Sequence, residues 1–367
     1  MEQNERYKIC LVGDCLATGG AEKVQALLSD YFVSMGLQVH HVIVQDKVEY
    51  AYSGLLLNLG KLKNSSNGIA NKFKRLWSLR TFLKRHEFDF IIDFRVKNKP
   101  VQEWIIARFL YDVPTIFTVH SAEPSYYFPK NRWLARSIHK NAYVIITVTV
   151  GMRDYLLEEY ELKNVRSIHN PLDTKTLLFK RSQVELPDSN FILATGRMND
   201  DIKQFDKLIK AYADSILPSR KIDLIIMGDG SLRAELETLV NGLHLASHVK
   251  FVGHQTNPYK FMESCRFLVL SSRSEGFGNV LIETLACGKP VISFDCDFGP
   301  SEIINHRENG LLVEDQNLEK LTEAMNLFVT DDVLYQKCKS NAKQSVQRFS
   351  IDIIGKQWLD LMKIDVS

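Results

Sequence analysis

The chain has 367 residues, 45% hydrophobic and 25% charged, with 46 basic against 44 acidic side chains and a formal net charge of +2. This composition predicts a soluble globular protein and excludes disorder, a collagen-like repeat or a disulfide miniprotein; at about 150 residues per domain, the length predicts two domains. Near-neutrality also argues against nucleic acid as the main partner. Residues 1–170 nonetheless carry 23 Lys+Arg against 17 Asp+Glu, net +6, and the remainder 23 against 27, net −4. Such asymmetry between halves points to a surface interaction of the first half.

The six cysteines, Cys10, Cys15, Cys265, Cys287, Cys296 and Cys338, form no CxxC pair and mostly sit in apolar runs, which predicts buried reduced thiols in a cytosolic protein. The N-terminus has no signal-peptide core, and no stretch reaches 18 consecutive apolar residues. A cytoplasmic location follows as the expectation, peripheral on the inner face of the cytoplasmic membrane if the basic half docks there.

The first β-rich run, Tyr7 to Val12, is followed by Gly13 to Glu22, a turn that includes Gly19 and Gly20 and opens a helix. Such a turn brings backbone close to a phosphate at a helix N-terminus, or is simply a tight turn. It lacks the GxGxxG fingerprint of a dinucleotide fold. After the run Val39 to Val44 comes a polar loop, Asn58 to Gly68, and then a basic stretch: residues 61–86 hold eight Lys or Arg (Lys61, Lys63, Lys72, Lys74, Arg75, Arg80, Lys84, Arg85) and no acid. Within it Phe73, Leu76, Trp77, Leu79 and Leu83 share one broad helical side, with Lys74, Arg75 and Arg85 projecting away. The plain reading is a helix covering a sheet. The alternative is a membrane-surface helix presenting Lys72, Lys74, Arg75, Arg80, Lys84 and Arg85 to anionic lipid, and Trp77 suits either.

Runs continue at Phe88 to Phe94 and Thr115 to Val119, the latter ending on His120 with Glu123 just beyond, then at Tyr143 to Thr149 and Val165 to Ile168. A polar, proline-containing seam from Asn170 to Asp188 precedes Phe191 to Thr195. The loop after that strand carries Gly196, Arg197 and Lys203, a fork and a point charge able to clamp a diphosphate, or an ordinary surface pair. Ile222 to Met227 leads into Gly228-Asp229-Gly230, and Val249 to Val252 into Gly253 and His254. Phe267 to Leu270 leads into the segment Ser271 to Pro290, with Glu275 in a Gly-containing turn and Glu283 in the helix beginning near Asn279. Carboxylates only accept hydrogen bonds and so suit a ligand rich in hydroxyls. Pro290 to Phe294 ends the series before Gly299-Pro300-Ser301-Glu302, a helix start.

About ten short buried strands alternating with helices predict two parallel sheets, each doubly wound, facing a central cleft with ligands at the carboxyl ends of the strands. The domains expected are 1–171, 172–350, and a helix in 351–367 around Trp358 that crosses back to the first.

The segment EGFGNVLIE with the following ACGKPVIS resembles the E-x7-E signature of retaining glycosyltransferases of the GT-B fold, family 4. The resemblance implies that Glu275 contacts donor-sugar hydroxyls and Glu283 the ribose, with amides of Phe277, Gly278, Asn279 and Val280 lining the sugar pocket. It further implies that Arg197 and Lys203, matching a GR...K element with Gly196, neutralise the leaving nucleoside diphosphate. Gly19 and Gly20 would close over that diphosphate, Gly253 would lie where the base is received, and His120 would touch the donor sugar beside the reacting carbon. Glu123 is a candidate for facing the acceptor, and Glu302 matches a GP-x-E turn of relatives that act on lipid-linked or lipopolysaccharide acceptors.

Taken with the charge split, the resemblance implies a UDP-sugar-dependent, retaining hexosyl or N-acetylhexosaminyl transferase needing no cofactor and no metal. The acceptor domain would come first and the donor domain second, with a saccharide or lipid-linked acceptor in surface polysaccharide or glycoprotein biosynthesis. The alternatives are a UDP-sugar epimerase or hydrolase of the same fold, a dinucleotide-binding oxidoreductase, and a non-catalytic nucleotide-sugar binding module.

Overall fold

The computed structural model describes residues 7–17, 19–64, 68–173 and 190–366. They form two compact units, one from the chain up to Pro171 and again from Ile351, the other from Leu172 to Ser350. Most of the polar seam, residues 174–188, lies outside the described residues.

The first unit is built on seven strands, β1 (Lys8–Gly13), β2 (Gln38–Ile43), β3 (Leu55–Asn58), β4 (Phe90–Asp93), β5 (Thr115–Val119), β6 (Val144–Thr147) and β7 (Val165–Ser167), in the order β3-β2-β1-β4-β5-β6-β7. Every pairing is parallel, with Ile9 opposite both Val39 and Phe90. The central strands are apolar on both faces because helices cover both, which is why they read as continuous apolar runs. Strand order reverses between β1 and β4, so the carboxyl ends of these two strands frame the crevice where open parallel sheets bind ligands.

Helix α1 (Gly20–Ser34) buries Val24, Leu28, Tyr31 and Phe32, one helical stripe, against this sheet. The chain-terminal helix Ile351–Met362 adds Ile351, Ile354, Trp358, Leu359 and Met362 to the same core. Gly355 permits that contact: a Cβ there would lie 2.4 Å from ring carbons of Tyr31.

Helix α2 (Ile69–His86) corrects the sequence reading. Leu79 and Leu83 are buried, but Phe73 and Trp77 are 72% and 67% exposed and continue a stripe from Ile69. Arg75, expected to project away, is half-buried and donates from Nη2 to the Val44 carbonyl at 2.9 Å. The spacing of Phe73 and Trp77 lies within one turn of the Leu stripe, and only the position of the sheet separates the two faces.

The second unit has six parallel strands, β8 (Phe191–Thr195), β9 (Asp223–Met227), β10 (Val249–Gly253), β11 (Leu268–Leu270), β12 (Val291–Phe294) and β13 (Gly310–Val313), in the order β10-β9-β8-β11-β12-β13. Here the order reverses between β8 and β11. Tyr212, Phe267, Phe294 and Phe328 fill the core. Strands β3 and β13, edge strands of four residues, were not predicted; so short an edge run carries no period to read. All six cysteines are buried, with no disulfide among the described residues. Among the described residues no helix is long and apolar enough to cross a membrane.

Candidate functional site

At the β8/β11 switch point the structure brings Gly196, Lys203 and Glu275 together. Lys203 Nζ lies 2.5 Å from Glu275 Oε1, and the Ser272 hydroxyl donates to the same oxygen at 2.6 Å. Both charges are largely covered, with side chains 22% and 11% exposed. The lysine stem packs over Gly196, where a Cβ would come within 2.9 Å of Lys203 Cγ, so a larger residue there would displace the lysine. Two ties fix the loop after β8 to the loop after β11: the Ser271 hydroxyl donates to the Lys203 carbonyl at 2.8 Å, and Arg273 grips Asp201 bidentately at 2.9 and 3.1 Å. The glutamate also acts on a neighbour, since burial first and Glu275 second push the Cys296 thiol up to about 12.

Arg197, two residues past β8, is exposed and makes no ion pair among the described residues. It shares the loop after β8 with the partly buried Lys203, and a fork and a point charge in one loop can meet a doubly charged diphosphate. Gly278 adopts the left-handed conformation, φ 97°, directly before the helix Asn279–Ala286, which carries Val280 at its start and Glu283 in its second turn. Phe277 is buried with its ring edge-on to Phe349 at 5.4 Å. Gly253 ends β10 with φ 68°, and His254 beyond it is exposed. Glu302 lies in the first turn of the short helix Pro300–Ile303, the helix-start reading of that turn.

The remaining candidates belong to the first unit. Gly19 caps α1 in an extended conformation, with the Glu22 carboxylate folded against it, and Gly20 is the first helical residue. His120 follows β5, its ring stacked on Phe94 at 5.5 Å and both ring nitrogens buried. Its pKa is lowered to about 3, first by burial and then by Lys97. Glu123 is exposed and its carboxylate accepts from the Ser125 N–H at 3.2 Å, so the present role of the side chain is to cap the short turn Pro124–Tyr126.

A buried ionic cluster after β4 escaped sequence reasoning. Arg95 donates to Asp93 from Nε and Nη2 at 3.1 and 2.7 Å and reaches Glu103 at 2.9 Å, while Tyr111 donates to Asp93 at 3.1 Å. Lys97 Nζ sits 3.9 Å from Asp93 and donates to the Arg95 carbonyl at 2.8 Å. Burial alone would raise the Asp93 pKa, but Arg95 and then Lys97 outweigh it and hold the carboxyl low; for Lys97 burial wins and its pKa falls. The available signal was the alternation Asp93, Arg95, Lys97 just beyond an apolar strand.

Burial also lowers His41 and His139 to about 4. Three histidines, with His120, are therefore neutral in the folded first unit down to acid pH, whereas unfolded ones charge near 6.5. Stability from these groups is present above 6.5 and is lost as pH falls toward the folded pKa values, by about 2 kcal/mol each at pH 5. Asp14 and Glu103, both raised by burial, act in the opposite sense. Urea unfolding at pH 7 and pH 5 is expected to show a net loss of several kcal/mol in the first unit, with these imidazole NMR signals flat above pH 5. Titration of the three near pH 6.5 in the folded protein would contradict it.

Two family models cover almost the whole chain in succession: "Glycosyltransferase Family 4" over residues 18–176 and "Glycosyl transferases group 1" over 178–345. The chain belongs to the group 1 glycosyltransferases of the GT-B fold. A Campylobacter jejuni N-acetylgalactosamine-N,N'-diacetylbacillosaminyl-diphospho-undecaprenol 4-alpha-N-acetylgalactosaminyltransferase is 29% identical over 91% of this chain and 93% of its own. A second enzyme of that organism, a GalNAc-alpha-(1->4)-GalNAc-alpha-(1->3)-diNAcBac-PP-undecaprenol alpha-1,4-N-acetyl-D-galactosaminyltransferase, is 29% identical over 97% of this chain and 98% of its own. Among solved structures, Anabaena HepE in complex with UDP and glucose superposes with a TM-score of 0.77 at 20% identity, covering 98% of this chain and 100% of its own. Sucrose-phosphate synthase from Thermosynechococcus elongatus gives 0.78 at 22% identity over 98% of each. At such identities the structural neighbours speak for the fold, and fold alone leaves the acceptor open.

Proposed function

We propose that this glycosyltransferase moves a hexose or N-acetylhexosamine from a UDP-sugar, with retention at the anomeric carbon and without a metal ion, onto a saccharide carried by a lipid diphosphate. The observation that carries the reading is the Lys203–Glu275–Ser272 triangle, with the exposed Arg197 in the same loop as Lys203. Arg197 and Lys203 take the diphosphate and stabilise the charge that grows on it as the bond to the sugar breaks, which is where fixed opposite charge is most effective. Glu275 accepts from sugar hydroxyls, and Glu283 from the ribose. The acceptor hydroxyl attacks the anomeric carbon from the face the diphosphate leaves, and its proton passes to a diphosphate oxygen. Retention is supported by the resemblance of the Glu275–Glu283 segment to the E-x7-E signature.

UDP and the lipid-linked acceptor are supported by the names of relatives: HepE holds UDP and glucose, and both Campylobacter enzymes act on undecaprenol-linked diphosphates. The basic first half and the exposed Ile69–Phe73–Trp77 stripe support docking at the anionic inner face of a membrane; salt-sensitive flotation with anionic vesicles tests it. For the reaction, a thermal-shift panel of UDP- and GDP-sugars selects the donor, and NMR of the product reports the anomer. Preference for a UDP-sugar, a retained anomer and a rate unchanged by EDTA are expected. An inverted product or an EDTA-dependent rate would overturn the corresponding part.

A further inference from the structure

Left-handed backbone is ordinarily left to glycine, which adopts it without steric cost. In the second unit two glutamines hold it. Gln204, φ 47°, lies between Lys203 and the helix Phe205–Ala213, and Gln316, φ 61°, in the turn between β13 and the helix Leu318–Thr330. Of the non-glycine residues in this conformation among the described residues, Gln204 alone is buried. The two helices pack side by side, the Thr322 hydroxyl donating to the Ala211 carbonyl at 3.1 Å, and their starts meet through these glutamines.

With its amide oriented as its neighbours require, Gln204 donates to the Ser271 carbonyl and to Gln316 Oε1, each at 3.0 Å, and accepts from Lys207 Nζ at 2.9 Å. Lys207 also donates to Gln316 Oε1 at 2.5 Å, and Gln316 Nε2 to Asp315 at 3.0 Å. Both hydrogens of the Gln204 amide are therefore used. Lys207 has no ion pair among the described residues and sits in the first turn of its helix, the end that disfavours a cation, so the two amide oxygens are what hold it. Ser271 answers from the loop after β11: its hydroxyl donates to the Lys203 carbonyl at 2.8 Å and lies 3.3 Å from that of Gln204. Gln204 thus joins the loops after β8, β11 and β13 at the residue directly following Lys203. A strained backbone persists where its surroundings over-determine it, and such positions gather at functional sites.

We infer that Gln204, clasped to Gln316, is a positioning residue for transfer: it fixes the backbone of Lys203 and so the point at which the lysine ammonium meets the donor diphosphate. The inference rests on the proposed transferase reading and adds to it a residue that touches no substrate and acts through Lys203.

Glycine at position 204 keeps the left-handed turn without strain and removes the clasp, which separates positioning from stability. Gln204→Gly is expected to fold with a melting temperature no lower than the parent's. It should bind UDP more weakly with uridine affinity unchanged, and lower kcat by about tenfold, within the roughly 100-fold that a misplacement of about 1 Å can cost. Gln316→Gly, which opens the clasp from the far side, should do the same. Added to Lys203→Ala, Gln204→Gly should cost no further kcat, because a residue acting through another has nothing left to position. Full multiplicativity of these two, unchanged kcat and UDP affinity in both glycine variants, or a loss shared equally by UDP and uridine with a lower melting temperature overturns the inference. If the parent does not bind UDP, the donor reading fails instead, and hydrogen exchange decides the clasp. Faster exchange of residues 196–204 in Gln316→Gly supports it, and unchanged exchange there overturns it.

Discussion

Replacing Asp93 by Ala is expected to destabilise the first unit by about 3–5 kcal/mol, the range for removing one partner of a buried ion pair. The carboxylate is fully buried and satisfies Arg95 through two side-chain bonds and one backbone N–H, as well as Tyr111. Without it the guanidinium, which cannot shed its proton, keeps Glu103 as its one counter-charge among the described residues and a long bond of 3.4 Å to the Tyr111 hydroxyl, and Lys97 loses its nearest counter-charge. Such a loss is a large fraction of the roughly 5–15 kcal/mol by which a domain is stable. For a unit of this size it corresponds to a fall in melting temperature on the order of 10 °C. Asp93→Asn separates charge from shape: it preserves an acceptor for Arg95 but removes the negative charge, and it is expected to recover only part of the loss. Calorimetry of the two variants decides the matter, and a melting temperature within about 2 °C of the parent for Asp93→Ala would mean the cluster is not stabilising. The cluster also has a positional role. It ties Arg95 and Lys97 down on either side of Val96, whose N–H donates to Asp14 at 2.9 Å.

The parallel sheets were legible because each strand is short, apolar on both faces and bounded by polar turns. Thr115–Val119 and Phe191–Thr195 fall where the sequence places them. The segment from Glu275 to Glu283 was legible for a different reason, as motif residues clustered within a dozen positions. What the sequence concealed is three-dimensional in origin. Asp93, Arg95 and Lys97 look like the solvated end of a strand, and only the approach of Glu103 and Tyr111 from the following helical segment makes them a buried network. Phe73 and Trp77 are as apolar as Leu79 and Leu83, and nothing in the spacing of α2 says which part of a broad stripe faces the sheet. Arg75 illustrates the same point from the polar side, because a basic residue in a basic stretch reads as surface until the Val44 carbonyl is found beside it. The Lys203–Glu275 pair could not be read either, with 72 positions separating its members.

That pair sets the second large expectation. Arg197→Ala and Lys203→Ala should each lower kcat by about 10²–10³, the cost of removing one preorganised charge from a developing anion, yet they should differ in every other respect. Arg197 is exposed and makes no ion pair among the described residues, so its loss leaves the fold and melting temperature unchanged and appears only when the diphosphate is present. Lys203 already holds Glu275 at 2.5 Å. Removing it leaves a largely covered carboxylate with Ser272 as its remaining side-chain donor, so the unliganded protein is also destabilised, and the sugar-binding geometry of Glu275 is disturbed along with the charge. The Lys203→Ala effect should therefore overlap with that of Glu275→Gln, the double variant losing much less than the product of the two single losses, as groups acting as a unit do. Arg197→Ala combined with Glu275→Gln should approach the product. Measured kcat values for these five variants, with melting temperatures for each, test the arrangement. Full multiplicativity between Lys203 and Glu275 would show that they act apart during turnover, and an unchanged kcat in Arg197→Ala would remove that residue from the diphosphate site.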